Sequence, residues 1–319
     1  MMMKKVIDLI KSAENIALFC HINCDGDAVG SVFALKRILE EFGKNVTAFI
    51  DTKIPERLKF MPKLYDAEYL TEYEDKGFDL FIALDCGDLK RLGEFAEVFE
   101  NAENTISIDH HASNSRFAKE NVVVADASAT GEIIYDLTQM GNFLISKETA
   151  TLLYGAIASD TGSFQYQNTS SKTHMIASRL IELGADSVMM NKKLFDTLMV
   201  NEIKIKGYAM SNFQLFADGK ICFVGITKET MEKVGCLYED VEGISGFPRS
   251  VDGVEVGLLA KEWKDNIFKI SIRTNNYVDA TVLAGKFGGG GHIKASGCTI
   301  EGSIDEVKEK IVKAAKELI

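Results

Sequence analysis

The sequence is poor in proline, in long apolar runs and in paired cysteines. Only 3 of its 319 residues are proline, which argues against proline-rich linkers or recognition tails. No segment approaches the roughly 18–20 continuous apolar residues that a membrane-spanning helix requires. The 6 cysteines include no Cys-x-x-Cys pair and lack the spacing of small disulfide scaffolds, so free thiols in a reducing compartment are expected. These absences together predict a cytoplasmic protein with no membrane partner.

Positive charge is also in short supply. The chain has 36 lysines and arginines against 47 aspartates and glutamates, which gives a net charge of −11. A protein that binds long nucleic acid neutralises many phosphates, so this sign argues against a long duplex as partner. A short anionic ligand is compatible with it, but an acidic chain that handles phosphate would need metal cations.

The first half of the chain shows a regular alternation of strand and helix patterns. Runs rich in β-branched and aromatic residues predict strands at Ile16–Cys20, Val46–Ile50, Leu80–Leu84, Thr105–Ile108 and Val122–Ala125. Helical periodicity lies between them, for example over Ala28–Phe42 and Gly131–Met140. This alternation is typical of a parallel sheet covered by helices, and hence of the α/β class.

The second half has a different pattern, which predicts a smaller domain of mixed α/β type. Two hairpins are expected, one around Asp218-Gly219 and one around Asp265-Asn266. A helix at Val278–Lys286 leads into four consecutive glycines, and a terminal helix follows. A chain of 319 residues favours two domains, which we place at residues 1–190 and 211–319, joined by a helical linker at 191–210.

Polar residues with catalytic potential follow three of the predicted strands. They are His21, Asp25 and Asp27 after the first strand, Asp85 after the third, and Asp109, His110 and His111 after the fourth. Ligands of open α/β sheets bind beyond the carboxyl ends of the strands, so a functional site is expected there. One such motif alone could equally be a helix cap or a loop carboxylate, but the motifs together favour a site.

Carboxylates that meet in one cleft repel one another unless they are protonated or bound to cations. The candidate donors are His21, Asp25, Asp27, Asp85, His110 and Asp160. Two divalent cations would offset the four negative charges, and oxygen and imidazole donors suit Mn²⁺ or Mg²⁺, with Zn²⁺, Fe²⁺ or Co²⁺ also compatible. Such a metal pair activates water and clamps phosphoryl oxygens, which predicts hydrolysis of a phosphate ester or anhydride.

Four segments resemble, in order, the motifs of the DHH phosphoesterase family: HINCDGDAVGS, LDCGD, DHHASNSRF and ASDTGSF. The segments ISIRT and GGGGHIKASG resemble the signature of the DHH-associated C-terminal domain. The resemblance spans essentially the whole chain. It implies a parallel-sheet catalytic domain, a smaller mixed α/β domain and an active site in the cleft between them. Members of the family often form dimers, so we expect a homodimer.

The resemblance also implies roles for individual residues. It assigns His21 and Asp25 to one metal ion and makes Asp85 the bridge, and it gives the second ion Asp27, His110 and Asp160. By the same resemblance His111 faces the substrate phosphate or protonates the leaving oxygen, while Asp109 orients an imidazole. We therefore assign His111, Asp85 and Asp109 to catalysis.

Substrate contacts are expected in both halves of the chain. The run Gly288, Gly289, Gly290 and Gly291 lets backbone N–H groups approach an anion without obstruction by Cβ atoms. His292 follows this run at once, and Arg273 lies on the preceding predicted strand, where its guanidinium can pair with a phosphate through two hydrogen bonds. Asn114 and Arg116, in the loop after the DHH triplet, are further candidates for phosphate contact.

Three other residues receive structural interpretations. Thr130 is interpreted as part of a helix start. Trp263 lies near the turn of the second predicted hairpin, where ordinary packing is favoured over base stacking. Cys24 stands where the family commonly has proline, next to a predicted metal ligand, and thiolate ligation is the less favoured interpretation.

The size and the Gly-rich segment most resemble the bacterial nanoRNase and pAp-phosphatase type. The predicted function is therefore hydrolysis of short oligoribonucleotides to 5′-mononucleotides, together with dephosphorylation of 3′-phosphoadenosine 5′-phosphate (pAp). A phosphodiesterase for cyclic dinucleotides or for linear pApA or pGpG would carry the same motifs. Inorganic pyrophosphatases of the family differ in their C-terminal domain, and RecJ-type exonucleases usually have an additional domain. A non-catalytic nucleotide sensor is the alternative from another class.

Overall fold

The structure, a computed structural model, describes residues 2–319 apart from the side chains of Glu239 and Glu242. The chain divides into two units, of which the first ends at Thr197 and the second runs from Leu198 to Ile319. Each unit is built on its own β-sheet. Among the helices of residues 2–319, none combines the length and apolar character that a bilayer span demands.

The first unit is organised around five parallel strands. These are β1 (Asn15–Cys20), β2 (Asn45–Phe49), β3 (Leu80–Leu84), β4 (Thr105–Asp109) and β5 (Glu120–Val123). Their order in the sheet is β2-β1-β3-β4-β5, and every neighbouring pair is parallel. Residues on both faces of the central strands are buried, which explains why these strands are nearly continuous apolar runs.

Helices cover both faces of this sheet. They are α1 (Met2–Ser12), α2 (Gly26–Glu41), α3 (Ala96–Asn101), α4 (Thr130–Gly141), α5 (Lys147–Asp160), α6 (Ser171–Glu182) and α7 (Ser187–Asn191). Successive residues of β1 enter different cores, because side chains alternate between the faces of a strand. Ile16 and Leu18 join the aliphatic core against α2 and α5, whereas Phe19 joins an aromatic core with Phe49 and Phe99.

Close packing of α2 on α5 brings the end of α5 to the carboxyl edge of the sheet. The two helices approach so closely at Gly30 that a Cβ atom there would lie 2.9 Å from the carbonyl oxygen of Leu152. At the start of α2, a Cβ atom on Gly26 would lie 2.4 Å from the hydroxyl oxygen of Ser159. The helix contact thereby places Asp160, the last residue of α5, beside the first turn of α2.

The second unit contains a mixed sheet. Its strands are β6 (Gln214–Phe216), β7 (Ile221–Ile226), β8 (Val256–Lys264), β9 (Ile267–Thr274), β10 (Gly290–His292) and β11 (Ala295–Glu301). Its helices are α8 (Val200–Asn212), α9 (Lys228–Val234), α10 (Ala280–Gly285) and α11 (Ile304–Lys316). The strand order is β10-β11-β9-β8-β7-β6, with β7 and β8 parallel and the other pairs antiparallel.

The two faces of this second sheet are covered differently. One face carries Leu258 and Ile270, which pack with residues of α10 and α11 in a single apolar core. The other face is covered at β7 and β8, where Val224 and Leu259 pack with Ile205 of α8. The predicted combination of a parallel-sheet α/β domain with a smaller mixed α/β domain is confirmed.

Candidate functional site

The carboxyl ends of β1, β3 and β4 bring the six predicted metal ligands together in the first unit. His21, Asp25 and Asp85 offer one group of ligand atoms that lie within 4.8 Å of one another. A second group of the same compactness consists of Asp27, His110 and Asp160. The helices supply the rest of the geometry, since α2 begins beside β1 and α5 ends at Asp160.

Asp85 lies between the two groups of ligand atoms. Its Oδ2 is 3.7 Å from Nε2 of His21, and its Oδ1 is 3.6 Å from Nε2 of His110. The side chain is almost completely buried, and the backbone has a φ of 55°, a conformation that non-glycine residues seldom adopt. Strain of this kind is concentrated at functional sites. The two oxygens of Asp85 therefore face different groups of ligand atoms.

Backbone N–H groups at two helix N-termini hold the first two aspartates. Oδ1 of Asp25 caps α2 by accepting hydrogen bonds from the backbone of Asp27 and Ala28, both at 3.1 Å. Asp27 accepts hydrogen bonds from the first residues of α4, from Thr130 N at 2.6 Å and from Gly131 N at 3.0 Å. Such donors favour ionised carboxylates and fix their orientation.

His21 and His110, the histidines of the two ligand groups, both present Nε2 to the carboxylates. Nδ1 of His21 lies 2.7 Å from the carbonyl oxygen of Ile22, and Nδ1 of His110 lies 3.3 Å from that of Ala127. In His110, a proton on Nδ1 that is donated to the carbonyl leaves the Nε2 lone pair available for a metal ion. Nε2 of His110 is buried and forms no hydrogen bond with any described residue, although Asp160 Oδ2 is 3.2 Å away.

The electrostatics of the cluster also call for added positive charge. Burial, followed by repulsion from Asp85, raises the pKa of Asp27 well above its ordinary value. Burial is also the main reason that the pKa of Asp160 is raised to about 6. Burial alone would lower the pKa of His110, but the contact with Asp160 and the other nearby carboxylates outweigh it and raise the pKa to about 10. Positive charge placed among these buried carboxylates would therefore stabilise them.

These observations fit a pair of divalent cations. The donors are carboxylate and imidazole groups, and Nε2 of His110, which has no hydrogen-bond partner among the described residues, faces three carboxylates. One of them, the buried carboxylate of Asp85, joins the two groups. Cys24 belongs to none of the ligand groups found among the described residues, and its thiol instead contacts that of Cys20. The structure therefore provides an oxygen and nitrogen site without sulfur.

His111 lies at the edge of the cluster, held by Asp109. Its Nδ1 is 2.7 Å from Oδ1 of Asp109 and 3.7 Å from Oδ1 of Asp85. The hydrogen bond with Asp109 is the main reason that the pKa of His111 is raised above its ordinary value. Asn114 donates to Oδ2 of the same buried Asp109, at 2.6 Å. The structure thus places Asp109 where it can orient His111, with Nε2 on the far side of the ring.

Asn114 and Arg116 occupy different positions in the loop that follows. The Asn114 side chain is engaged within the loop, because it also donates to the carbonyl of Cys86 and accepts from the backbone N–H of Arg116. Arg116 is exposed, and its side chain forms no salt bridge with the described residues. Asn114 is therefore placed to position Asp109, and Arg116 is the member of the pair whose charge is open to solvent.

The predicted phosphate contacts of the second half lie together in the second unit. Arg273 and His292 are each paired with Ala295, on β9 and β10 respectively, so their side chains share one face of the sheet. Gly290 and Gly291 belong to β10 instead of a free loop. A Cβ atom at Gly291 would lie 2.6 Å from the carbonyl oxygen of Ala295, so only glycine fits this pairing.

Sequence analysis missed several residues that contact the cluster, among them Thr130 and Arg91. The Thr130 hydroxyl donates to Oδ1 of Asp85 at 3.0 Å, in addition to the backbone bond with Asp27. Nη2 of Arg91 lies 2.9 Å from Nδ1 of His21. The helix-start pattern placed Thr130 correctly at the beginning of α4 but carried no signal that it would face Asp85. No pattern in the sequence singled out Arg91.

The fold and the site together define a DHH-type protein, and the family comparison agrees. Residues 15–157 match the DHH family, N-terminal domain, and residues 228–319 match the DHHA1 domain. The chain is 30% identical over 318 residues to the bifunctional oligoribonuclease and PAP phosphatase NrnA of Thermus thermophilus. The alignment covers 99% of this chain and 94% of that protein. This chain therefore belongs to the DHH family.

Further relatives are similar over nearly the full length. The protein of the same name from Bacillus subtilis is 30% identical over 304 residues, covering 94% of this chain and 93% of that protein. The crystal structure of an exopolyphosphatase-related protein from Bacteroides fragilis has a TM-score of 0.91 and 27% identity, covering 99% of this chain and 95% of that chain. The chain is thus similar to NrnA-type members of the family over nearly its full length, as its size and Gly-rich segment predicted.

Proposed function

We propose that this protein is a phosphoesterase that requires two divalent cations, with Mn²⁺ the preferred ion. It hydrolyses short oligoribonucleotides to 5′-mononucleotides and removes a phosphate from pAp. The observation that carries the proposal is the position of Asp85, whose two oxygens face separate ligand groups. The NrnA relatives support the choice of substrates, since their names describe both activities.

In this proposal the protein supplies a preorganised cage for the cations. His21, Asp25 and Asp85 would hold one ion, and Asp27, His110 and Asp160, with Asp85 facing both groups, would hold the other. When bound, the ions supply a water molecule of lowered pKa and positive charge for the phosphoryl oxygens.

The remaining predicted site residues act on the substrate. His111, oriented by Asp109, faces the reacting phosphate and supplies a proton to the leaving oxygen. Arg273, His292 and the backbone of Gly288–Gly291 bind a second phosphate group of the substrate, which suits ligands that carry more than one. Catalysis in a cleft between the two domains and homodimer formation are further parts of the proposal.

Chromatography of reaction products tests the proposal directly. Wild-type protein with Mn²⁺ is incubated with pAp, di- to pentaribonucleotides, cyclic dinucleotides and pyrophosphate. Asp85→Asn removes the charge of the bridging carboxylate and is expected to abolish turnover. Asp88→Asn is the matched control, because Asp88 is an exposed aspartate three residues away whose side chain only accepts a local hydrogen bond from Lys90 N.

The outcomes separate the candidate functions. Release of mononucleotides from short RNAs and of phosphate from pAp, lost in Asp85→Asn and retained in Asp88→Asn, supports the proposal. Cleavage confined to cyclic or linear dinucleotides would replace it with the dinucleotide phosphodiesterase. Binding of these ligands without any metal-dependent product would identify a sensor instead.

A further inference from the structure

The tip of the β8–β9 hairpin carries the only tryptophan of the chain in an unusual setting. Trp263 is 44% exposed, so the ordinary packing predicted for it is wrong. Nζ of Lys264 lies 4.3 Å from the centroid of its ring, and Nζ of Lys269 lies 4.8 Å away. Neither lysine forms a salt bridge with any residue that the structure describes. An exposed aromatic ring thus lies beside two lysines that form no salt bridge in the described part of the chain.

The register of β9 connects this ring to the predicted phosphate contacts. Phe268, Ile270 and Ile272 enter the core, so the alternate residues Lys269, Ser271 and Arg273 line the opposite face. Arg273 is four positions after Lys269 along the strand, which corresponds to roughly 13 Å. The positions form one row on a single face, with the cationic Arg273 at one end and the ring at the other.

This row is open on the β11 side only, because on the β8 side the buried Leu259 and Lys261 stand opposite Ser271 and Lys269 on the same face. Ala295 lies opposite Arg273, and Gly297 lies opposite Ser271, so no large side chain of β11 stands beside the middle of the row. Gly290 of β10 pairs with Gly297 on the other edge of β11. A Cβ atom at Gly290 would meet nothing within 4 Å. Glu301 is the acidic residue of β11 on this face, and it lies at the hairpin end of the strand.

We propose that Arg273, Ser271, Lys269 and Trp263 form a track, here called the β9 track, that binds the nucleotides of a single-stranded RNA substrate beyond those at the reacting phosphate. A base stacks on Trp263, and the lysines beside the ring attract the phosphates. This inference rests on the proposed function, because it extends the phosphate contact at Arg273 along the substrate.

The chemistry of the β9 track favours RNA over a protein partner. Sequence-tolerant binding of single strands combines a positive groove with aromatic rings on which bases stack. Both elements are present here, although the chain as a whole carries a net charge of −11. A strand anchored at Arg273 would need about four nucleotides at a stacked rise of roughly 3.4 Å to reach the ring, and fewer when extended. Long substrates reach Trp263, whereas pAp does not.

Kinetics on two substrates test the inference. Trp263→Ala is expected to lower kcat/KM for a pentaribonucleotide about tenfold, through a higher KM, and to leave kcat/KM for pAp within twofold of wild type. Trp263→Phe, which keeps a ring, should retain most of the activity on the pentaribonucleotide. Lys269→Gln should weaken pentaribonucleotide binding most at low salt, whereas the control Lys286→Gln, on a lysine paired with Glu317, should not.

Fluorescence provides a measurement that does not require turnover. Trp263 is the only tryptophan, so stacking of a base on it should quench the intrinsic emission of wild-type protein treated with chelator. Penta-adenylate should quench the emission and pAp should not. Equal effects of Trp263→Ala on both substrates, or a pentaribonucleotide that is cleaved normally and leaves the emission unchanged, would overturn the β9 track. Failure of the wild type to cleave either substrate would overturn the proposed function instead, and the quenching titration would still decide the inference.

Discussion

The hydroxyl of Thr130 gives a test of how the metal ligands are positioned. It donates a hydrogen bond of 3.0 Å to the buried bridging carboxylate of Asp85, while its backbone N–H holds Asp27. Thr130→Val removes only the hydroxyl donor. Hydrogen bonds to ligating carboxylates fix their orientation, and their loss typically costs 10- to 100-fold in metal affinity, about 1.4–2.8 kcal/mol. We expect a weaker affinity for Mn²⁺ of that size.

The assay is the Mn²⁺ dependence of pAp hydrolysis, combined with direct titration of Mn²⁺ into the metal-free protein. Thr130→Val should need about 10 to 100 times more Mn²⁺ for half-maximal rate and recover activity at high Mn²⁺. Thr130→Ser, which keeps the hydroxyl, should behave more like wild type. The control is Thr138→Val, since Thr138 is buried in the same helix and its hydroxyl donates only to the carbonyl of Tyr135.

Two results would refute this reasoning. Wild-type Mn²⁺ dependence in Thr130→Val would show that the hydroxyl does not position Asp85. Equal losses in Thr130→Val and Thr138→Val would show that the effect arises from general destabilisation of α4. Unfolding in urea, measured on both variants, separates the second case from a specific effect on the metal ligands.

Three other expectations concern stability and the release of protons on metal binding. Gly30→Ala should destabilise the protein by about 1–3 kcal/mol, because the added Cβ meets the backbone of α5. Gly207→Ala, in an uncrowded position within α8, should stabilise it by about 0.5–1 kcal/mol. Unfolding in urea measures both changes. Burial alone would raise the pKa of Glu255, but backbone N–H donors outweigh burial and hold the pKa below the ordinary 4.5. The ionised carboxylate therefore stabilises the folded protein above pH 4.5, and this contribution is lost as the pH falls further. Glu255→Gln should remove that part of the acid dependence of unfolding, and an unchanged pH profile would contradict it. Mn²⁺ binding at pH 7 should release protons, because the pKa of His110 is raised to about 10 without a cation; calorimetry in buffers of different ionisation enthalpy detects this, and identical heats would contradict it.

The strands and the position of the site could be predicted from the sequence because each has a local cause. A strand buried on both faces must be a short, continuous apolar run, and the five predicted strands of the first unit lie within two residues of the observed ones. The ligands follow those strands directly, as in Asp85 after Leu84. The rule that the carboxyl ends of parallel strands lie at one edge of the sheet therefore predicted most of the cluster. Asp160, which ends a helix, was assigned to it through the family resemblance.

The contacts that the sequence did not reveal depend on tertiary packing. Thr130 reaches Asp85 because α4 begins against α2, and Arg91 reaches His21 from a different segment of the chain. The hairpin around Asp265-Asn266 was expected, but its strands continue to the turn, which places Trp263 within β8. Alternation then puts the ring beside Lys269, a contact between strands that no local pattern contains. The domain bounds, the cytoplasmic location and the homodimer stay predictions.

The way in which the carboxylates are held explains how so much negative charge can be buried at one point. Asp25 uses Oδ1 to cap α2, so that its other oxygen faces His21 at 3.9 Å. Asp27 is fixed by the first N–H groups of α4, and its Oδ2 lies 3.9 Å from His110. These donors belong to helices that pack through their own apolar faces, so the cations are not required to orient the acids. The same bonds favour the ionised form against the cost of burial. Folding thus supplies the free energy that brings the carboxylates together. Their attraction for positive charge can then contribute fully to the binding of cations.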